Sequence, residues 1–178
     1  MPVLTAWPSR QGEHTLREVA RQVEAIAQAC GFEEGPVNIE ARVTPVGEVV
    51  VVEIGPRNGG NHIPILQHRL TGFDFVDKVV DGALGIRPTL GASISKRGIG
   101  AVYILHAERD GTFAGLEVSR DIERWLFELD VFRRVGDAVS VYADSNTSIG
   151  VALMQFDEPA DRDRLIAEMP SNLVVRVR

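Results

Sequence analysis

At 178 residues the chain suits one domain with a small appendage, and its 44% hydrophobic and 25% charged content is that of an ordinary globular protein. A net charge of −6, with lysines and arginines scattered rather than striped, argues against a nucleic-acid partner. A single cysteine, no apolar signal core at the amino terminus and no apolar run of about 18 residues point to a reducing compartment without a membrane partner, the cytoplasm by default.

Residues 1–12, with two prolines and a glycine, read as an irregular lead-in. Apolar residues at 16, 19, 20, 23, 26, 27 and 30 mark one face of a helix over Thr15–Cys30, with Gly31 as its stop. Cys30 ends that face and is expected to be buried as a small hydrophobe. Arg17, Glu18, Arg21 and Glu24 make the opposite, solvated face.

Two β-branched runs, Val37–Thr44 and Glu48–Ile54, flank Pro45-Val46-Gly47 as in a hairpin. A two-residue loop at Val46-Gly47 sets Thr44 against Val49, Arg42 against Val51, Glu40 against Glu53 and Asn38 against Gly55. Ile39, Ala41, Val43, Val50, Val52 and Ile54 then share the core side. A three-residue loop, Pro45–Gly47, pairs Thr44 with Glu48 instead and sends the two glutamates to opposite faces. The shared-face register is the one adopted here.

Further on, Ile63–Leu70 reads as a short helix that tolerates Pro64 in its first turn, and Thr71-Gly72 ends it. Asp74 is the expected N-cap of a helix over Phe75–Leu84, packed through Val76, Val79, Val80 and Ala83 and stopped by Gly85. Ile86–Ser95 reads as a linker, dividing a lobe at 1–90 from a β-rich part at 91–178. In the second part, Ile99–Ala107 is a strand, Arg109-Asp110-Gly111 a turn, and Thr112–Val118 the returning strand. Arg120–Glu128 is a helical turn or an irregular crossing. Val131–Val135 and Ala138–Ala143 flank a turn at Gly136-Asp137. Ile149–Phe156 is a strand, Ala160–Met169 a helix and Leu173–Val177 a closing strand. The expected class is α+β: an antiparallel sheet with covering helices, followed by a small β-rich subdomain.

Two glutamates directly across a ladder repel, and a divalent cation would turn that repulsion into shared ligation. Glu40 and Glu53 are therefore candidate metal ligands, with two ordinary surface glutamates as the plain alternative. Arg57 follows at the strand end, inside the turn Gly55–His62. Its guanidinium suits an anion, while Gly59 and Gly60 could aim backbone N–H groups at a phosphate or simply permit a tight turn. Asn61 and His62 begin the next helix, where anions are favoured; His62 is read either as a substrate contact or as a polar helix-start residue. Gly98-Ile99-Gly100 lacks the third glycine of a dinucleotide site. No Cys/His spacing suggests zinc, and no serine sits in a nucleophile elbow.

A glutamate, about a dozen residues, then Glu53-x-x-Pro56-Arg57-x-Gly59-Gly60, with Thr71-Gly72-x-Asp74 and Ala83-Leu84-Gly85 beyond, resembles the carboxy-terminal part of ATP-grasp ligases. The resemblance implies ATP and Mg²⁺ as cofactors, Glu40 and Glu53 as metal ligands, and Arg57 as the catalytic phosphate contact. It implies an acyl-phosphate route from a small carboxylate substrate to its product with an amine or other nucleophile. ATP-grasp ligases commonly carry asparagine two residues after the second glutamate; this chain has Gly55, and Asn38 opposite it is the candidate replacement. Their phosphate-binding lysines and flexible lid lie upstream of this part, and the two lysines here, Lys78 and Lys96, follow Arg57. The expected partner is thus an amino-terminal ATP-grasp half, in cis or in trans, without which the chain binds nucleotide weakly and turns over little. The oligomeric state, a homodimer included, stays open. A non-catalytic scaffold or regulatory module derived from the same lobe is the alternative, and a hydrolase using the paired carboxylates as acid and base ranks last.

Overall fold

A computed structural model describes residues 3–87 and 98–178. The linker expected from Pro88 onward and the boundary expected at 90/91 lie outside the described residues. In chain order the elements are β1 (Leu4–Trp7), α1 (Glu13–Ala29), β2 (Asn38–Val43), β3 (Val49–Gly55), α2 (Ile63–Thr71), α3 (Phe75–Ala83), β4 (Ile99–Leu105) and β5 (Gly111–Val118). They continue with α4 (Arg120–Glu123), β6 (Leu126–Val131), β7 (Ala138–Val139), β8 (Gly150–Phe156), α5 (Pro159–Ala167), α6 (Met169–Asn172) and β9 (Leu173–Val177). All the strand pairs named below are antiparallel, and with these helices the fold is α+β. Two compact units result, one from Ser9–Gly60 and Asp74–Ser93, the other from Met1–Pro8, Asn61–Phe73 and Ile94–Arg178.

The first unit contains α1, the β2–β3 hairpin and α3. Gly31 closes α1 at φ +63, and the N–H groups of Gly31 and Phe32 donate to the carbonyls of Gln28 and Ala27 at 3.1 and 2.9 Å. Asp74 caps α3 by accepting from the amides of Val76 and Asp77. The hairpin loop is the three-residue one: the Thr44 amide donates to the Glu48 carbonyl at 2.8 Å, and Gly47 sits at φ +86. That loop alone would separate the glutamates. A β-bulge reverses this: Ala41 pairs with Val51, Glu40 pairs with Glu53, and Val52 is the extra residue between them.

The core side is corrected accordingly. Ile39, Ala41, Val49, Val51 and Ile54 face inward, while Val43, Val50 and Val52, expected inside, are 40%, 46% and 56% exposed. Gln22 of α1 reads the edge of β3. Its Nε2 donates to the Val49 carbonyl at 2.8 Å and its Oε1 accepts from the Val51 amide at 3.3 Å, pairing backbone groups that a neighbouring strand would otherwise take. Neither α1 nor α3 buries a residue completely, and Val76, Val79 and Val80, expected to pack α3, are 52%, 38% and 52% exposed. Cys30, expected to be buried, is exposed for the same reason.

The second unit has two sheets, ordered β1-β4-β8-β6 and β7-β5-β9. β1 lies in the segment read as irregular and β6 in the segment read as a crossing. The chain does not return on itself at Arg109-Asp110-Gly111, because β4 is already paired on both sides by β1 and β8, and β5 joins the other sheet. The hairpin expected around Gly136-Asp137 is likewise replaced: two-residue β7 pairs with β5.

Alternation along β4 feeds two cores. Ala101, Tyr103 and Leu105 join Trp125, Met154 and Leu165, whereas Val102 and Ile104 meet Leu66 and Leu70 of α2. Gly98 and Gly100 have a steric role. A Cβ on Gly100 would lie 2.7 Å from the Met154 carbonyl oxygen and 2.8 Å from Leu66 Cδ1, so glycine lets α2 lie directly on the sheet. Among the described residues, no helix is long and apolar enough to cross a membrane.

Candidate functional site

On the outward face of the hairpin, Glu40 and Glu53 are direct partners, and Asn38 stands opposite Gly55. Side chains directly opposite on an antiparallel pair have Cβ atoms about 4.5–5.5 Å apart, close enough for two carboxylates to share one cation. Arg42, two residues along β2, donates to Glu40 Oε1 at 2.8 Å. Both side chains are largely solvated, so this pair holds the carboxylate weakly and can yield it. Glu53 has no partner of this kind among the described residues. The donors on this face, two carboxylates and an amide, are all oxygen, which fits a hard divalent ion such as Mg²⁺.

Arg57 follows a tight turn in which its amide donates to the Gly55 carbonyl at 2.8 Å. Its side chain lies over Gly55: a Cβ there would sit 3.5 Å from Nε and 3.8 Å from Cζ. One Arg57 nitrogen donates to the Asn58 carbonyl at 3.0 Å, and the Asn58 amide reaches the Phe75 carbonyl at 3.3 Å, tying the turn to α3. Gly59 and Gly60 do not use the left-handed region, and a Cβ on Gly60 would meet nothing within 4 Å. Their amides donate to no group among the described residues. Lys78 is not a free cation. Asp81 at 2.6 Å, then Asp77 at 3.3 Å, hold its ammonium and raise its pKa.

The left-handed conformation appears one step later, at Asn61 (φ +52) and His62 (φ +58), both in the other unit. Asn and His tolerate it better than most residues, but two in succession cost on the order of 1–3 kcal/mol each. His62 then caps α2 without a side-chain hydrogen bond. Its Nδ1 lies 3.3 Å from Glu128 Oε1 and 3.3 Å from Asp130 Oδ2, both on β6. Sequence reading missed Arg42, Glu128 and Asp130. The last two carried a signal, since Glu128 and Asp130 alternate with Phe127, Leu129 and Val131 as a half-buried strand does.

No family model matches the chain. An uncharacterized protein, y4rH, of Sinorhizobium fredii is 36% identical over 90 residues, which are 51% of this chain and 18% of that one. The solved structure of an L-amino acid ligase from Bacillus licheniformis superposes on all of the chain, with a TM-score of 0.88 at 20% identity over 44% of its own length. Phosphoribosylglycinamide synthetase from Anaerococcus prevotii matches 99% of the chain at a TM-score of 0.80 and 17% identity, over 46% of its length. The biotin carboxylase domain of Hydrogenobacter thermophilus 2-oxoglutarate carboxylase, solved with MgADP and bicarbonate, matches 99% at 0.67 and 15% identity, over 39% of its length. These are ATP-grasp ligases. The fold of this chain is a part of theirs, and it spans less than half the length of each.

Proposed function

We propose that the chain is the metal- and phosphate-contacting part of an ATP-grasp ligase that activates a small carboxylate. One observation carries this reading: a bulge at Val52 returns Glu53 to the side of Glu40 where the hairpin loop alone would part them. Glu40 and Glu53 hold Mg²⁺, with Asn38 supplying the oxygen that an asparagine at position 55 would otherwise give. Bound there, the ion neutralises charge on the nucleotide phosphates.

Arg57 stabilises the γ-phosphoryl group as it is transferred, and the amides of Gly59 and Gly60 contact phosphate or substrate carboxylate. A carboxylate oxygen attacks the γ-phosphorus, the bond to the bridging oxygen breaks, and ADP leaves an acyl phosphate. An amine or other nucleophile then displaces inorganic phosphate.

The partner is the nucleotide-clamping amino-terminal lobe, in cis or in trans. Support comes from the packing of the hairpin unit, where Val49 is the sole apolar side chain that is buried among the described residues. Val43, Val50, Val52, Val76, Val79 and Val80 stay exposed on the same unit, apolar surface that a partner lobe would cover.

Calorimetric titration of the chain with ATP, with and without Mg²⁺, tests the proposal. Weak, Mg²⁺-dependent binding is expected, reduced at least tenfold (about 1.4 kcal/mol) by Glu40→Gln or Glu53→Gln. Binding that ignores Mg²⁺ or both substitutions overturns it. No binding even with the amino-terminal lobe supplied favours the non-catalytic module.

A further inference from the structure

We infer that His62, Glu128 and Asp130 form a binding site for a first-row transition cation of the Zn²⁺ class, separate from the Mg²⁺ position proposed on the hairpin. The ligand atoms lie within 4.8 Å of one another and come from the start of α2 and from β6. His62 Nδ1 is 3.3 Å from one oxygen of each carboxylate. Bonds of about 2.0–2.2 Å to a tetrahedral ion place neighbouring ligand atoms about 3.3–3.6 Å apart, which is the spacing of His62 Nδ1 to each carboxylate oxygen.

A simple ion pair accounts for it less well. A charge-assisted N–H···O contact closes to about 2.7–2.9 Å on one acceptor, whereas this nitrogen stands equally far from two. Nδ1 is also shielded from solvent and makes no hydrogen bond. Unpaired buried nitrogens are costly, and this one is aimed at two anionic oxygens.

β6 explains how the carboxylates converge. Its register shifts between Leu126 and Glu128, leaving Phe127 as the extra residue, and Glu128 and Asp130 then project together two positions apart. The side chains of His62, Glu128 and Asp130 are 31%, 30% and 47% exposed, so a cation can reach them and a fourth position remains for water. One imidazole and two carboxylates carry two negative charges, which a divalent ion neutralises. The nitrogen donor favours Zn²⁺ over Mg²⁺, whereas the oxygen-only hairpin face has the opposite preference. The ligands are remote in sequence, which is why no zinc-like spacing is visible in the chain. They lie within one unit and share nothing with Glu40 or Glu53, so the site can exist whether or not the chain serves a ligase.

The test is titration of the full chain, stripped with a chelator, with Co²⁺ and then Zn²⁺. Expected are one saturable equivalent of Co²⁺ with the visible absorption of a four-coordinate ion, its displacement by Zn²⁺, and a shift of the His62 ring-nitrogen resonance. Affinity should fall at least 100-fold in His62→Ala and in the near-isosteric Glu128→Gln/Asp130→Asn variant, and change less than threefold in Glu40→Gln/Glu53→Gln. Absence of saturable Co²⁺ binding, or a His62 resonance that Zn²⁺ leaves unmoved, overturns the site in the unsubstituted protein, whatever the variants do. Binding that survives Glu128→Gln/Asp130→Asn, or that is lost in Glu40→Gln/Glu53→Gln, overturns it equally.

Discussion

Glu18 shows how much a partly exposed carboxylate gains from well-placed donors. Arg21 grips both of its oxygens at 2.9 and 2.7 Å, and Gln22 adds a third bond at 2.9 Å. The Arg21 bonds come first and Gln22 second in lowering its pKa from 4.5 to about 2, against a smaller opposing push from desolvation. The folded value lies below the unfolded one, so the contribution to stability is present above about pH 4.5 and is lost as pH falls toward 2. Carbon-detected NMR titration should find the Glu18 midpoint near 2 and find it moved back toward 4.5 in Arg21→Ala. An unmoved midpoint contradicts this cause. Cys30 gives the opposite lesson at this scale. Its place on a helical stripe was legible, but burial depends on what covers the stripe, and the stripe of α1 is not fully covered within its own unit.

The hairpin is the element on which chemistry and fold meet. Its two runs and its glycine were readable, yet neither register drawn from them was complete. Val49-Val50-Val51-Val52 is unbroken, so the sequence has no alternation there from which to fix the phase, and a bulge inside it leaves no trace. The helices were easier, because period and caps are local: Gly31 and Asp74 act as their residue types suggest. β1 and β6 escaped notice because their strand character comes from partners remote in sequence, β4 and β8. The bulge makes a definite prediction. Deleting Val52 straightens the ladder but leaves Glu53 opposite Glu40, so Mg²⁺-dependent ATP affinity should stay within about threefold. Inserting one alanine after Val51 instead moves Glu53 off its place opposite Glu40 and should weaken binding at least tenfold, about 1.4 kcal/mol, by calorimetry. Equal losses from both changes would contradict the register.

At the scale of the whole molecule, the α+β class was legible because strand-like and helix-like patterns alternate without a βαβ rhythm. The spatial division was not: α2 interrupts the segments of the hairpin unit, and contacts between distant segments decide which unit each belongs to. The two units also differ in how much they bury. One has cores filled by Leu66, Leu70, Tyr103, Trp125, Leu153 and Met154; the other has Val49 alone among its described residues. That asymmetry underlies the proposed partner lobe. The central claim, that Glu40 and Glu53 jointly hold the metal of a metal–nucleotide complex, is tested most directly by Mn²⁺·ATP broadening of backbone amide resonances, compared with Mn²⁺ alone. Nucleotide-dependent broadening should reach Glu40, Glu53 and Arg57 together and vanish in Glu53→Gln. Broadening confined to one of the two strands, or persisting in Glu53→Gln, would contradict it.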